Sequence, residues 1–239
     1  MAGGAQERYF LASARLEGEP VPVTDALTID VFWSFRSPYS WLAVDRLAAI
    51  EAGYPVKMAM RFVRPLALRE DGFFKQARPQ WLPYLFKDVF REGQRLGVAI
   101  ASPRPDPIVM DLETGEVAAE QPYIHRLMDL GFAAEATEGR GLALAQAIAR
   151  PVWTGVENWH EGDILKDAAA AAGFDIDALA RWADENRDEV ERMLAENETA
   201  QMKHHWGVPL MVLNEEPFFG QDRLDSLEWR LQQMLQAQQ

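Results

Sequence analysis

The sequence predicts an α/β fold ordered β-α-β, a long helical block, then β-β-α. Three observations predict it. The apolar run Ile29-Asp30-Val31-Phe32-Trp33 leads through Ser37-Pro38 directly into a helical pattern. Helical periodicity then dominates for well over a hundred residues, broken by prolines but by no clear strand signal. Strand patterns return only at Gly207-Val208-Pro209-Leu210-Met211-Val212-Leu213. Such a pattern makes one sheet whose strands come from the two ends of the chain.

The elements follow in order. Residues 1–26 are Gly-, Ala- and Pro-containing and read as an arm, with a short strand or helix near Tyr9-Phe10-Leu11. Thr28 to Phe35 is a buried strand. Ser37 as N-cap and Pro38 at the first helical position start a helix to about Ile50, and Gly53 is placed to end it. Val56 to Val63 is a second strand closed by Arg64-Pro65. A helix between two strands in so short a unit implies parallel pairing with a right-handed crossover.

In the helical block, Trp81 to Leu96 carries Leu82, Leu85, Phe86, Val89 and Phe90 on one helical face. Ser102 to Pro107 holds successive prolines and is extended or turn. Helices are expected over Tyr123–Leu130, Leu142–Ile148 continuing toward Trp153, Ile164–Ala172 ended by Gly173, and one or two within Ile176–Met202. After the late strand, Asn214-Glu215-Glu216 turns into a short partner, Pro217 to Gly220. Asp222 to Leu235 is the closing amphipathic helix, with Leu224, Leu227, Leu231 and Leu235 on one face. The expected division is an arm (1–26), a sheet domain from 27–66 and 206–239, and a helical insertion domain over 67–205.

Composition narrows the function. A formal charge of -13 argues against a nucleic-acid surface, since no Lys/Arg-rich block offsets it. No apolar run approaches the roughly 20 residues that span a bilayer. The first residues lack the basic and apolar regions of a secretory signal. A cytoplasmic protein without membrane or nucleic-acid partners is expected. With no Cys at all, disulfides, thiolate metal sites, Cys nucleophiles and two-sulfur redox exchange are excluded together. His204-His205 are adjacent, point about 100° apart on a helix, and are read as helix surface; His125 and His160 add no ligand spacing, so no metal site is expected.

Ser37 is the most informative position. At the junction of strand end and helix start it sits beside free backbone N–H groups and the positive end of a helix dipole, a place that favours an anion. A Cys there would be a low-pKa thiolate. A Ser caps the helix and can hydrogen-bond an anion brought by a ligand; both roles fit. Ser40, one turn on, reads as structural. Arg64 is equally suited to orienting a substrate carboxylate or bonding the protein's own acids. Trp153, Trp159 and His160 either line an aromatic acceptor pocket or pack the insertion.

Four stretches carry a family resemblance. Phe35-Arg36-Ser37-Pro38-Tyr39-Ser40-Trp41-Leu42-Ala43 resembles the active-site segment of 2-hydroxychromene-2-carboxylate isomerases and kappa-class glutathione transferases. Arg64-Pro65, Gly207-Val208-Pro209 and Phe218-Phe219-Gly220-Gln221-Asp222-Arg223-Leu224 resemble, in turn, that family's post-strand pair, cis-proline loop and glutathione-binding turn. The resemblance implies a thioredoxin-like (DsbA-like) fold with a large all-helical insertion, and glutathione as cofactor. It implies that Ser37 is catalytic, holding the glutathione sulfur as thiolate. Val208 and cis-Pro209 would pair with its cysteine backbone, while Gln221 and Asp222 would bind its γ-glutamyl group. Arg64 and Trp159 are the substrate-binding candidates.

The implied reaction is cis-trans isomerisation of an aromatic keto acid. The thiolate adds to an unsaturated carbon, allows bond rotation and leaves, interconverting 2-hydroxychromene-2-carboxylate and its benzylidene pyruvate. A homodimer and a small aromatic substrate are implied with it. The sequence departs from the family pattern at Leu66-Ala67-Leu68-Arg69-Glu70, where a small Gly- or Asn-containing stretch supplies a glutathione contact, and at Leu82 to Lys87, which fits a Pro-x-Lys segment only loosely. One cofactor contact is therefore unassigned. A kappa-like transferase that consumes glutathione, and a non-catalytic thioredoxin-fold binder, are the alternative readings.

Overall fold

The computed structural model describes residues 27–70, 72–73, 78–111 and 114–237. The arm and its expected element near Tyr9 lie outside the described residues.

Four strands form the sheet: β1 (Leu27–Trp33), β2 (Val56–Phe62), β3 (Leu210–Leu213) and β4 (Glu216–Phe219), in the order β2-β1-β3-β4. β1 and β2 pair in parallel from Leu27↔Val56 to Trp33↔Phe62, joined by α1 (Pro38–Gly53). β3 runs antiparallel to β1, and β4 antiparallel to β3. The β3–β4 turn holds Asn214 and Glu215 at positive φ, which suits a tight connection. The two halves of the chain thus meet at the centre of the sheet, where Val31 opposes Met211.

Between β2 and β3 the chain is helical. A single turn, α2 (Leu66–Arg69), precedes α3 (Trp81–Leu96), α4 (Pro122–Glu138), α5 (Gly141–Trp153), α6 (Ile164–Ala171), α7 (Ile176–Glu185) and α8 (Arg187–Met202). A 3₁₀ turn, Gln221–Arg223, leads into α9 (Leu224–Ala237). This is the expected mixed fold with a helical insertion. The insertion shares the sheet's hydrophobic core: Phe62 of β2 meets Phe132 of α4 edge-on and stacks on Phe35. Gly131 permits this approach, since a Cβ there would stand 2.8–3.0 Å from the Phe62 ring.

The apolar face of α3 is largely open: Val89 and Gly93 are buried, while Phe86 and Phe90 stay exposed and Leu85 faces a cleft. One element reading changes. Helix α8 ends at Met202, so His204 and His205 belong to the turn that follows and not to a helix surface. His205 instead stacks on Phe219 with ring centroids 3.7 Å apart.

Candidate functional site

The site begins at the β1–α1 junction. Ser37 is the N-cap of α1; its Oγ accepts the Ser40 N–H at 3.2 Å. Pro38 has no N–H, and Trp41 N–H is taken by the Ser37 carbonyl. Tyr39 N–H is bonded to no acceptor among the described residues, so the helix end keeps one free donor next to Ser37.

The opposite wall comes from the far end of the sequence. Val208-Pro209 is a cis peptide, and the Val208 carbonyl stands 3.5 Å from Ser37 Oγ, at the outer limit of a hydrogen bond. Gln201, fully buried on α8, braces this loop by donating to the Trp206 and Gly207 carbonyls at 3.2 and 2.8 Å. Gly207 N–H donates to His205 Nδ1 at 2.9 Å, and burial lowers the His205 pKa, favouring the neutral ring. Gly207 gives the loop this close approach, because a Cβ would meet the Phe219 ring at 2.5 Å and the ring would have to shift.

Between these walls lies a cleft of about 200 Å³, mostly apolar. Ser34, Arg36, Ser37 and Tyr39 line one side, and Trp206, Gly207, Val208 and Phe219 the other. Pro65, Leu66, Phe73, Trp81 and Leu85 supply an apolar floor and rim. Arg36 is held by Asp106 through two hydrogen bonds of 3.1 and 2.9 Å.

A second, polar groove of about 530 Å³ continues from the first, sharing Tyr39, Val208 and Phe219 with it. Its remaining lining is Tyr84, Asp88, Glu92, Arg95, Gly220, Gln221 and Asp222. Gln221 is 3% exposed; its Nε2 donates to Glu92 at 2.8 Å, while its Oε1 is buried without a protein partner. Arg95, bonded to the same carboxylate, and Gln221 both hold the Glu92 pKa down. Asp222 is exposed and ion-paired with Arg223. Tyr39 Oη donates to Asp88 at 2.7 Å; burial first, and then that carboxylate, push the phenol pKa up, so Tyr39 stays protonated.

Ser37, Val208, Pro209, Gln221 and Asp222 therefore fall along one continuous edge: Ser37 and Val208 line the first cleft, Val208, Gln221 and Asp222 the second, and buried Pro209 bonds its carbonyl to Gly220 N–H. Two candidates do not join them. The Arg64 guanidinium is held by Glu198 at 2.9 and 2.6 Å, and that bond raises its pKa; it serves the protein's own acid and does not face the cleft lining. Trp159 is 1% exposed, donates its indole N–H to the Pro105 carbonyl and packs on Tyr123 and His160. It is core of the insertion, as is Trp153, whose indole bonds the Phe35 carbonyl.

Trp206, Phe219, Tyr39, Asp88 and Glu92 were not among the expected site residues. Trp206 adjoins the Gly207-Val208-Pro209 signal and Tyr39 lies within Ser37–Ser40. Asp88 and Glu92 share a helix face by their i, i+4 spacing, but nothing in the sequence aims that face at Gln221.

No helix among the described residues is long and apolar enough to cross a membrane. They also contain no group of three or more His, Cys, Asp or Glu that could hold a metal ion.

Comparison with known proteins identifies the family and the fold. The chain is 25% identical over 207 residues to a 2-hydroxychromene-2-carboxylate isomerase of Pseudomonas putida, covering 84% of this chain and 93% of that protein. Its structure is similar to a solved 2-hydroxychromene-2-carboxylate isomerase, with a TM-score of 0.65, 22% identity, and coverage of 88% and 97% of the two chains. It is also similar to the cytosolic disulfide reductase DsbM of Pseudomonas aeruginosa, solved with GSH: TM-score 0.55, 17% identity, 88% and 100% covered. The two structural likenesses establish the fold. The model of the DsbA-like thioredoxin domain matches residues 28–232, and the chain belongs to that family.

Proposed function

We propose that the protein is a glutathione-dependent cis-trans isomerase of aromatic keto acids, of the 2-hydroxychromene-2-carboxylate to benzylidene pyruvate type. The observation that carries the proposal is the junction of an apolar cleft with a polar groove, with Ser37 and a free helix N–H beside it. The likeness to the Pseudomonas putida isomerase supports the reaction type.

The residues fit glutathione. Gln221 lines the polar groove, and its Oε1 is buried with no donor from the described residues, which leaves a hydrogen bond to be made at that end of the site. Asp222, exposed beside it, adds a carboxylate. Ser37 Oγ can donate to a sulfur while still accepting from Ser40 N–H, because a hydroxyl both donates and accepts. Together with Tyr39 N–H and the α1 dipole it favours an anion at that point. Bound glutathione supplies a nucleophilic thiol, the one chemical group that a chain without cysteine lacks. Trp206, Phe219, Trp81 and Phe73 give an aromatic acceptor flat apolar walls and exclude water from it. The family resemblance extends the proposal to a homodimer, which analytical ultracentrifugation checks.

Calorimetric titration with reduced glutathione, with thiolate absorbance followed in the far ultraviolet, tests the cofactor. Saturable binding with a thiolate signal at neutral pH supports the reading. No binding at millimolar glutathione refutes it and leaves a thioredoxin-fold binder. Stoichiometric loss of glutathione during turnover would instead identify a transferase.

A further inference from the structure

Arg69 is a half-buried arginine whose hydrogen bonds go to neutral partners. It ends α2, within the stretch that departs from the family pattern. Its Nη1 donates to Gln201 Oε1 at 2.8 Å and its Nη2 to the Trp206 carbonyl at 3.0 Å, while its Nε is buried without a partner. Gln201 passes the connection on to the Trp206 and Gly207 carbonyls, one residue from Val208. Arg69 thus stands behind the wall that faces Ser37, and no cleft lining includes it.

The neighbouring charges do not cancel it. Glu198 acts on it through space, but Arg64 occupies both carboxylate oxygens, through its backbone N–H and Nε at one and Nη2 at the other. Arg64, Glu198 and Arg69 together carry one net positive charge. Glu70 is exposed, so water screens it. On the cleft side Arg36 is matched by Asp106, and Asp88 is engaged by Tyr39. Burial lowers the His205 pKa, which leaves that ring uncharged at neutral pH. Burial also disfavours the charged form of Arg69, yet an arginine side chain stays protonated.

An anion in this cleft faces an unfavourable background. The chain carries -13 overall, and Asp88, Glu92 and Asp222 line the adjoining groove, where the charges of Arg91, Arg95 and Arg223 are already taken up in ion pairs with them. With Arg36 and Arg95 each paired to an acid, the α1 N-terminus and the charge behind the opposite wall remain as sources of positive potential.

We propose that Arg69 is a positioning residue behind the 206–208 wall: held there by Gln201 and the Trp206 carbonyl, it supplies the net positive charge that favours an ionised thiol opposite Ser37. The proposal rests on the thiol-cofactor reading above. The ionisation involves only loss of the thiol proton to water, with no change of oxidation state.

The test is the pH titration of thiolate absorbance at saturating glutathione, in the wild type, Arg69→Lys and Arg69→Gln. Removing one unit charge from behind the wall is expected to raise the bound thiol by about one pKa unit, a tenfold change in proton affinity. Arg69→Gln should show that rise and Arg69→Lys little of it, because Lys keeps the charge while losing the fork. Equal shifts in both variants, or none in either, would overturn the proposal. Should Arg69→Gln fail to fold, Glu198→Gln decides, since it adds one positive charge to the cluster and should lower the bound thiol's pKa; an unchanged or raised value overturns the proposal. A wild type that binds no glutathione would sink the cofactor reading and this proposal with it; a wild type with a lowered thiol pKa indifferent to Arg69 and Glu198 would sink this proposal alone.

Discussion

Substituting Ser37 separates the two roles its geometry allows. Its Oγ accepts Ser40 N–H at 3.2 Å, and removing such a cap costs about 1 kcal/mol. For a chain of this size that lowers Tm by roughly 2–4 °C. A hydroxyl donated to a thiolate is a hydrogen bond to a charged group, worth about 1.5–3 kcal/mol, or roughly 1–2 pKa units of the bound thiol. Ser37→Ala should therefore lose both the few degrees and the thiolate signal at neutral pH. Ser37→Asp should keep the cap, since Asp is as good an N-cap as Ser, but place a like charge against the sulfur. It should melt close to the wild type and still show no thiolate. The assays are thermal unfolding and ultraviolet titration of bound glutathione. If Ser37→Ala melts lower while thiol pKa and turnover stay unchanged, Ser37 is a cap and nothing more.

Other perturbations probe the same frame. Ser37→Cys places the sulfur in the protein itself; as the one cysteine of the chain it should alkylate at neutral pH with a pKa at least about one unit below the 8.5 of a free thiol, and ordinary thiol reactivity would argue against an anion-favouring helix end. Gly207→Ala drives a Cβ into the Phe219 ring, 2.5 Å away, an overpacking that costs about 1–3 kcal/mol and should both weaken glutathione binding and lower the urea midpoint. Glu135 accepts Gly141 N–H at 3.0 Å, and burial holds its pKa above the ordinary carboxylate value. The folded state then binds the extra proton, so this group's favourable contribution is present below the unfolded pKa and is lost as pH rises through the raised one. Glu135→Gln should gain stability relative to the wild type between pH 4 and pH 7 in urea unfolding; a difference independent of pH would contradict this.

The fold was legible because its signals are local. Ser37-Pro38 marks a helix start, Gly53 ends the helix it begins, and Leu224, Leu227 and Leu231 mark the buried face of α9, all fully buried in the structure. The stripe Leu82 to Phe90 was legible as an apolar face of a helix, but periodicity does not show what covers such a face; α3 buries only Val89 and Gly93 of its length. Half of the site was legible for a similar reason, since Ser37, Val208, Gln221 and Asp222 sit in recognisable segments. What joins them is not local. Ser37 and Val208 are 171 positions apart, and Gln221 meets Glu92 across 129. Trp159 was drawn toward the site by residue type, and Arg64 by residue type together with its place after the second strand. Their partners, the Pro105 carbonyl and the Glu198 carboxylate, come from distant segments that no spacing rule connects.

The most direct test is turnover of 2-hydroxychromene-2-carboxylate by the purified protein at increasing reduced glutathione, with free thiol counted before and after. The account predicts a rate that rises from background, saturates with glutathione and leaves the thiol count unchanged. A rate indifferent to glutathione, or no turnover at saturating glutathione, would contradict it.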